Sequence, residues 1–398
     1  MAQKKSSSNK ATKTVTKMTK KAVKKAAKKN PALVIVILII VLSLIVGAGF
    51  LIYHFASKNK NNNHNHDHQV TEIENPDISI YFLETGNQFT GDSTFIKAGD
   101  VDILIDAGSR NASAETIAAF VKEYCDDGKL EYVIATHAHQ DHIAGFVGIE
   151  DKDHPEKNPE KHGIFDQFEC ENIIDFNLHN TASKVYNDYI TKRDAEVASG
   201  AKHFTALDCW NQTNGGKRKY QLTERVEMEI LYQDFYEKES DDENNYSVCV
   251  MFNNMDNHYL FTGDLEKAGE KSLVAKNTLP QVQLFKGAHH GSYTANTLDL
   301  LNVIKPEVVC ICCCAGSDEY TSNPANMFPA QAAIDRLGLF TDKIYVTTVV
   351  DDKNKYKSLN GNILFASDGS KYAIKGSASD TILKDTEWFK ANRTWPTK

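Results

Sequence analysis

Residues 131–145 read EYVIATHAHQDHIAG. The first part is an apolar run of strand-forming residues. The second places His137, His139, Asp141 and His142 within six positions. Two imidazoles at i and i+2, leaving a strand, turn to one side of the chain. Asp141 and His142 follow at the next turn, where the chain enters a helix. Imidazole and carboxylate donors together suit Zn²⁺, Mn²⁺ or Fe. A set this compact can serve two adjacent ions, and four such groups have no packing role directly after an apolar strand.

Working outward, LIDAGS ends a strand and puts Asp106 at its tip. YLFTGD does the same for Asp264, and KGAHHGS carries His289 and His290 into a glycine turn. Strands are expected at 78–84, 93–97, 101–106, 131–136, 226–232, 246–252, 259–262, 281–286, 308–314 and 343–348, with helices at 112–125 and 182–199. Strands alternate with helices, interrupted by meanders, which predicts a layered α/β domain of about 300 residues. There is no repeat at a solenoid period and no glycine-rich phosphate loop.

The complete HxHxDH signature resembles that of the metallo-β-lactamase-fold hydrolases. The resemblance implies an α/β, four-layer αββα sandwich over residues 78–375, holding two divalent ions, Zn²⁺ or Mn²⁺. It implies His137, His139, Asp141, His142 and His290 as metal ligands and Asp264 as the carboxylate shared by both ions. Asp106 is implied as the group that orients the ligand loop. His289 is then free for substrate or proton donation, and Asp141 also to orient the attacking water. The order of GDS at 91–93, NNYS at 244–247, TGD and HHGS resembles the hydrolase domain of ComEC-type competence proteins and the related phosphorylcholine esterases. NNYS sits where many superfamily members carry another His. Asn245 there either touches a metal or its water, or caps a turn. His179 and His203 are the unassigned His of the central region, each either a substitute ligand or a satisfied surface group. Two departures stand out. TGNQFTGDS, residues 85–93, is longer than the subfamily's turn, and Asn323 falls where a His-Pro is usual, so that loop cannot exchange a proton through His.

Charge divides the chain into three physical objects. Residues 1–30 hold 11 Lys and no acid. Residues 31–56 hold no Lys, Arg, Asp or Glu. The remainder carries 34 basic residues against 53 acidic ones, a balance of −19. The apolar run would span roughly 35 Å as a helix, enough for a hydrocarbon core of about 30 Å. It exceeds a signal-peptide core, and no clear cleavage site follows. Its Lys-rich flank predicts a cytoplasmic N-terminus and an outward-facing body. The expected organisation is a basic tail (1–30), a transmembrane anchor in membrane lipid (31–56), a polar linker (57–77), the hydrolase domain (78–375) and a C-terminal extension (376–398). Hydrophobic content of 41% with 25% charged residues excludes a wholly disordered chain and a multi-span membrane protein.

Eight Cys include Cys310, Cys312, Cys313 and Cys314 in one strand-like run. Neighbours along a strand do not easily meet disulfide geometry, so a buried strand of small apolar residues is expected. Free thiols fit poorly with an extracellular location. The expected function is a membrane-anchored, extracytoplasmic, metal-dependent hydrolase of phosphodiesters, in nucleic acid or a cell-envelope polymer. The acidic body disfavours nucleic acid, since phosphate tracking needs Lys and Arg. Lactam, lactone or thioester hydrolysis, or a non-catalytic surface module of the same fold, are the alternatives.

Overall fold

The structure, a computed structural model, describes residues 69–149, 156–351 and 355–397. The basic tail, the expected anchor at 31–56 and most of the linker lie outside the described residues. Among the described residues no helix is long and apolar enough to cross a membrane.

Two sheets form the centre of the described residues, and the strands are counted among them. The first has nine strands, ordered Gln69–Val70, Tyr372–Gly376, Ile363–Ser367, Ile78–Phe82, Ser93–Ala98, Val101–Ala107, Lys129–Ile134, Glu169–Asp175 and Lys202–Thr205. The second has eight, ordered Tyr356–Ser358, Ile344–Val350, Val308–Ala315, Leu284–Lys286, Asn257–Phe261, Cys249–Asn254, Val226–Leu231 and Lys219–Gln221.

The period-2 alternation of these strands sorts their side chains into two cores. Val250 and Phe252 face the first core while Cys249 and Met251 face the second. Between the sheets Phe82 meets Phe261, ring centroids 6.0 Å apart, and Tyr259 meets Phe365 at 5.2 Å. The residue before Phe82 points the other way. Tyr81 packs on Phe120 and Tyr124 of the helix Ser113–Tyr124. The outer face of the second sheet is covered by Leu273, Leu300, Leu301, Ile334 and Leu337, from the helices Lys267–Lys276, Leu298–Ile304 and Gln331–Leu337. Helices thus lie outside both sheets. The C-terminal segment packs on this second core through Leu383 and Phe389.

Cys310 and Cys312 face the first core and Cys313 the second. Pairing with the next strand shifts register between Ile311 and Cys314, while Ile311, Cys313 and Ala315 all face the second core. All eight Cys are free and buried.

The direction of the strands positions the site. Val101–Ala107, Lys129–Ile134 and Glu169–Asp175 run parallel, so their C-terminal ends share one edge. Asn257–Phe261, Leu284–Lys286 and Val308–Ala315 are likewise parallel in the second sheet. Asp106 lies at such an end, and the HxHxDH run, Asp264 and the His289–His290 pair follow such ends.

Candidate metal centre

The strand Lys129–Ile134 ends three residues before His137, and the helix Gln140–Val147 begins after His139. Close backbone contacts hold this junction. Asp92 N donates to Asp141 O at 3.0 Å, and Gly108 N donates to Asp92 O at 2.8 Å. A Cβ at Gly108 would lie 1.5 Å from Asp141 O, so only glycine permits the approach. Gly263, at φ +53, turns the chain beside Thr136 and Ser247 and delivers Asp264.

Asp106 supports the loop from below. Its two oxygens accept from Thr136 N and Thr136 Oγ1, both at 2.8 Å. Its Oδ2 also lies 2.8 Å from His142 Nδ1. A second buried carboxylate, Glu243, accepts from Ala138 N at 3.1 Å. His290 is held in the same manner, its Nδ1 donating to Cys312 O at 2.9 Å. That carbonyl can only accept, so a proton sits on Nδ1 and Nε2 is the nitrogen that faces the cluster.

The free edges converge. His142 Nε2 lies 3.1 Å from Asp264 Oδ2, and His290 Nε2 lies 3.2 Å from the same oxygen. His290 Nε2 is also 3.3 Å from Asp141 Oδ2. His137 Nε2 and His139 Nδ1 lie 3.0 Å apart, and the His137 and His142 rings are 4.1 Å apart. Asp264 Oδ1 and Oδ2, His142 Nε2 and His290 Nε2 are buried and have no hydrogen-bond partner. Burying these carboxylates is costly unless positive charge lies beside them, supplied by protons on the imidazoles or by a bound cation. Asp92, His142, Asp264 and His290 offer ligand atoms within 4.8 Å of one another. The donor set therefore fits a divalent cation, with Nδ1 of His142 and of His290 tied back by an outer partner, as is usual for metal-ligating His.

Electrostatics agree. Burial opposes charge on His142, yet the Asp264 and Asp106 carboxylates outweigh it and hold its pKa up, at about 10. His290 is pushed up against the same burial, by Asp264 and Asp92. Asp264 is held well below the carboxylate range, since His142 and His290 outweigh its desolvation. His137 goes the other way. Burial, then the neighbouring His142 and His139, push it well below its ordinary value.

His289 and His290 both adopt left-handed backbone, at φ 47 and φ 53. Such strain in consecutive non-glycine residues is characteristic of functional sites. It sends the two rings apart. His290 is fully buried, whereas the His289 side chain is 18% exposed, with Nδ1 3.1 Å from Glu266 Oε1 and Nε2 3.9 Å from Asp264 Oδ2.

The other expected residues fall elsewhere. Asn245 Oδ1 accepts from Gly269 N and its Nδ2 donates to Ser240 Oγ, so its amide serves the fold around the turn. His203 Nε2 pairs with Asp175 and His179 Nδ1 with Thr181 O. Asn323 Oδ1 accepts from Ala325 N in its own turn.

Besides Glu243, four residues at the site had no role in the sequence reading. Lys286 is buried, ion-paired with Asp92 and 3.7 Å from Asp264 Oδ1. Asp92 also meets His290 Nδ1 at 3.2 Å. Glu266 holds His289, and Tyr320 donates to Asp141 Oδ2 at 2.7 Å. The detectable signals were Asp92 in the GDS turn and a lysine inside the apolar strand LFK.

Residues 86–163 match the model of the metallo-beta-lactamase superfamily. The matched segment contains Asp106 and the HxHxDH run, and the two-sheet α/β fold is consistent with that superfamily. No curated protein matches the chain. Among solved structures, the short form of human tRNase Z is similar at 13% identity, covering 68% of this chain and 92% of that one, with a TM-score of 0.31. A Cronobacter sakazakii metallo-beta-lactamase with a HARLDQ motif is similar at 15% identity, covering 52% and 73%, with a TM-score of 0.29. The diiron β-hydroxylase CmlA from Streptomyces venezuelae is similar at 8% identity, covering 61% and 45%, with a TM-score of 0.32.

Proposed function

We propose that this chain is a membrane-anchored, extracytoplasmic hydrolase of phosphodiester bonds that works with two divalent ions, Zn²⁺ or Mn²⁺, and is related to the ComEC-type hydrolase domains. One observation carries the metal reading. The buried Asp264 carboxylate has no hydrogen-bond partner and faces His142 and His290 at 3.1 and 3.2 Å. In the proposal Asp141, His142 and His290 hold one ion, His137 and His139 hold the other, and Asp264 is shared.

Two cations held by these residues would bring the pKa of a bound water down toward neutrality and offset charge on the oxygens of a phosphodiester. The chain's own groups do the rest. Asp106 and Cys312 O fix the ring orientations of His142 and His290, so the donors need no rearrangement. Glu266 holds His289 with Nε2 toward the cluster, where it can give a proton to a leaving oxygen. Anchoring rests on the apolar run at 31–56 and its Lys-rich flank.

The test is metal analysis of the purified protein, followed by a panel of bis-p-nitrophenyl phosphate, a phosphocholine ester, a lactam, a lactone and a thioester. Turnover of a phosphoester supports the reading. Turnover of another class alone redirects it, and a metal-free, inactive protein ends it in favour of a binding module. Protease added to intact cells should remove the body and spare the N-terminus. Full protection of the body would sink the topology.

A further inference from the structure

Residues 316–328 link the strand Val308–Ala315 to the helix Gln331–Leu337 and carry the Asn323 turn. The two ends of this loop are tied, Gly316 N donating to Phe328 O at 2.8 Å. Its middle is strapped to the loops of the first sheet. Glu319 pairs with Arg110 and accepts from Thr90 N at 2.9 Å. Arg110 in turn lies over the Phe89 ring, 4.0 Å from its centroid.

The residue after the strap is Tyr320. Its hydroxyl donates to Asp141 Oδ2 at 2.7 Å, while the residue as a whole is 50% exposed. Its ring lies 5.5 Å from that of Phe328, which lies 5.7 Å from both the His289 and the His290 rings. A tyrosine used for packing buries its ring and lets the hydroxyl reach water. Tyr320 does the reverse. The hydroxyl points inward to a buried carboxylate and the ring stands at the opening, an arrangement that gains little from apolar burial.

We propose that Tyr320 is a substrate-binding residue of this hydrolase, whose hydroxyl binds a non-bridging oxygen of the phosphoester beside Asp141. The proposal rests on the phosphoester reading above. The phenol has one proton and a rotatable C–O bond, so it can turn its hydrogen bond from Asp141 to an incoming anionic oxygen. Its ring and that of Phe328 then form one wall of the approach. Asn323 is engaged in its own turn, so the loop reaches the cluster through Tyr320 instead. Glu319 is a positioning residue, acting only through Tyr320.

The experiment compares the metal-loaded full chain in detergent with its Tyr320→Phe and Glu319→Gln variants. Binding of inorganic phosphate is measured calorimetrically, beside hydrolysis of bis-p-nitrophenyl phosphate and metal content. Tyr320→Phe should keep its metal and melting temperature. It should bind phosphate about 10- to 100-fold more weakly, the loss expected for one hydrogen bond to a charged group, and lose kcat/KM in step. Glu319→Gln should show a smaller loss of the same kind. Equal phosphate affinity and kcat/KM in parent and Tyr320→Phe overturn the proposal and leave the phosphoester reading standing. Loss of metal from Tyr320→Phe also overturns it, since Tyr320 would then serve ligation by Asp141. A parent that neither binds phosphate nor hydrolyses a phosphoester overturns the reading and this proposal with it.

Discussion

Nδ1 of His289 lies 3.1 Å from Oε1 of Glu266, and the opposite ring nitrogen lies 3.9 Å from Oδ2 of Asp264. Thr294 Oγ1 donates to the same Glu266 oxygen at 2.6 Å. Burial works against charge on Glu266, but hydrogen bonds from His289, Asp242 and Thr294 outweigh it and hold its pKa down, at about 2. An ionised carboxylate thus orients an imidazole whose other edge faces the cluster, the geometry of an aimed proton donor.

His289→Ala should therefore keep its metal and lose about 10²–10⁴ in rate. Glu266→Gln should slow diesters with poor leaving groups more than the p-nitrophenyl diester, whose leaving group needs little protonation. His290→Ala should lose metal. Metal analysis beside kinetics on a leaving-group series checks all three. Metal loss from His289→Ala with retention in His290→Ala would reverse the two assignments.

Lys286 supplies the second prediction. Its ammonium is buried between Asp92 and Asp264. Burial works against its charge, but Asp92 and Asp264 prevail and raise its pKa. Lys286→Met leaves Asp92 buried without its cation, a change that costs about 3–5 kcal/mol when one partner of a buried pair is removed. Urea unfolding of the metal-free protein measures it. Unchanged stability would show that Asp92 finds another counter-charge or takes up a proton.

The HxHxDH run, Asp106, Asp264 and His290 were legible because each is a polar group at the end of an apolar strand, a pattern with few structural uses. The central strands were legible for the same reason, as continuous apolar runs. Glu169–Asp175 was missed because its sequence ECENIID holds three acids, although it pairs inside the first sheet. The edge strands Lys219–Gln221 and Tyr356–Ser358 have three residues each and little apolar content. Tyr246 was expected to open a strand but closes the 3-10 turn Glu243–Tyr246, which Asp242 caps by accepting from Asn244 N at 3.1 Å. Glu266 and Tyr320 were illegible for a different reason. Their roles depend on loops from separate parts of the chain meeting at one edge, which local spacing does not encode.

A third prediction follows from His142. In the metal-free fold its pKa is about 10, against 6.5 for the free side chain. Its contribution to stability is therefore fully present below 6.5 and is lost as pH rises through about 10. A ligating imidazole must be neutral, so near pH 7 metal binding expels a proton. Apparent metal affinity should rise about tenfold per pH unit for each proton released. Calorimetry in two buffers of different ionisation enthalpy counts the protons, and no release would mean that His142 is not a ligand.

The last prediction concerns Asp264. Two divalent ions need a shared anion to sit about 3.5–4 Å apart. Asp264 is 1% exposed, and its Oδ2 lies within 3.2 Å of the free nitrogens of both His142 and His290. Asp92 is committed to Lys286, and Asp106 to Thr136 and His142 on the far side of the ring. Asp264→Ala should therefore lower the occupancy of both ions together and abolish hydrolysis. Asp264→Asn keeps the shape but removes the charge and one oxygen, so it should also lose both ions, though less completely. Elemental analysis at equal free metal, with kinetics on bis-p-nitrophenyl phosphate, separates the cases. Loss of a single ion would make Asp264 a terminal ligand. Parent-rate hydrolysis by Asp264→Ala would remove the shared carboxylate from the reaction altogether.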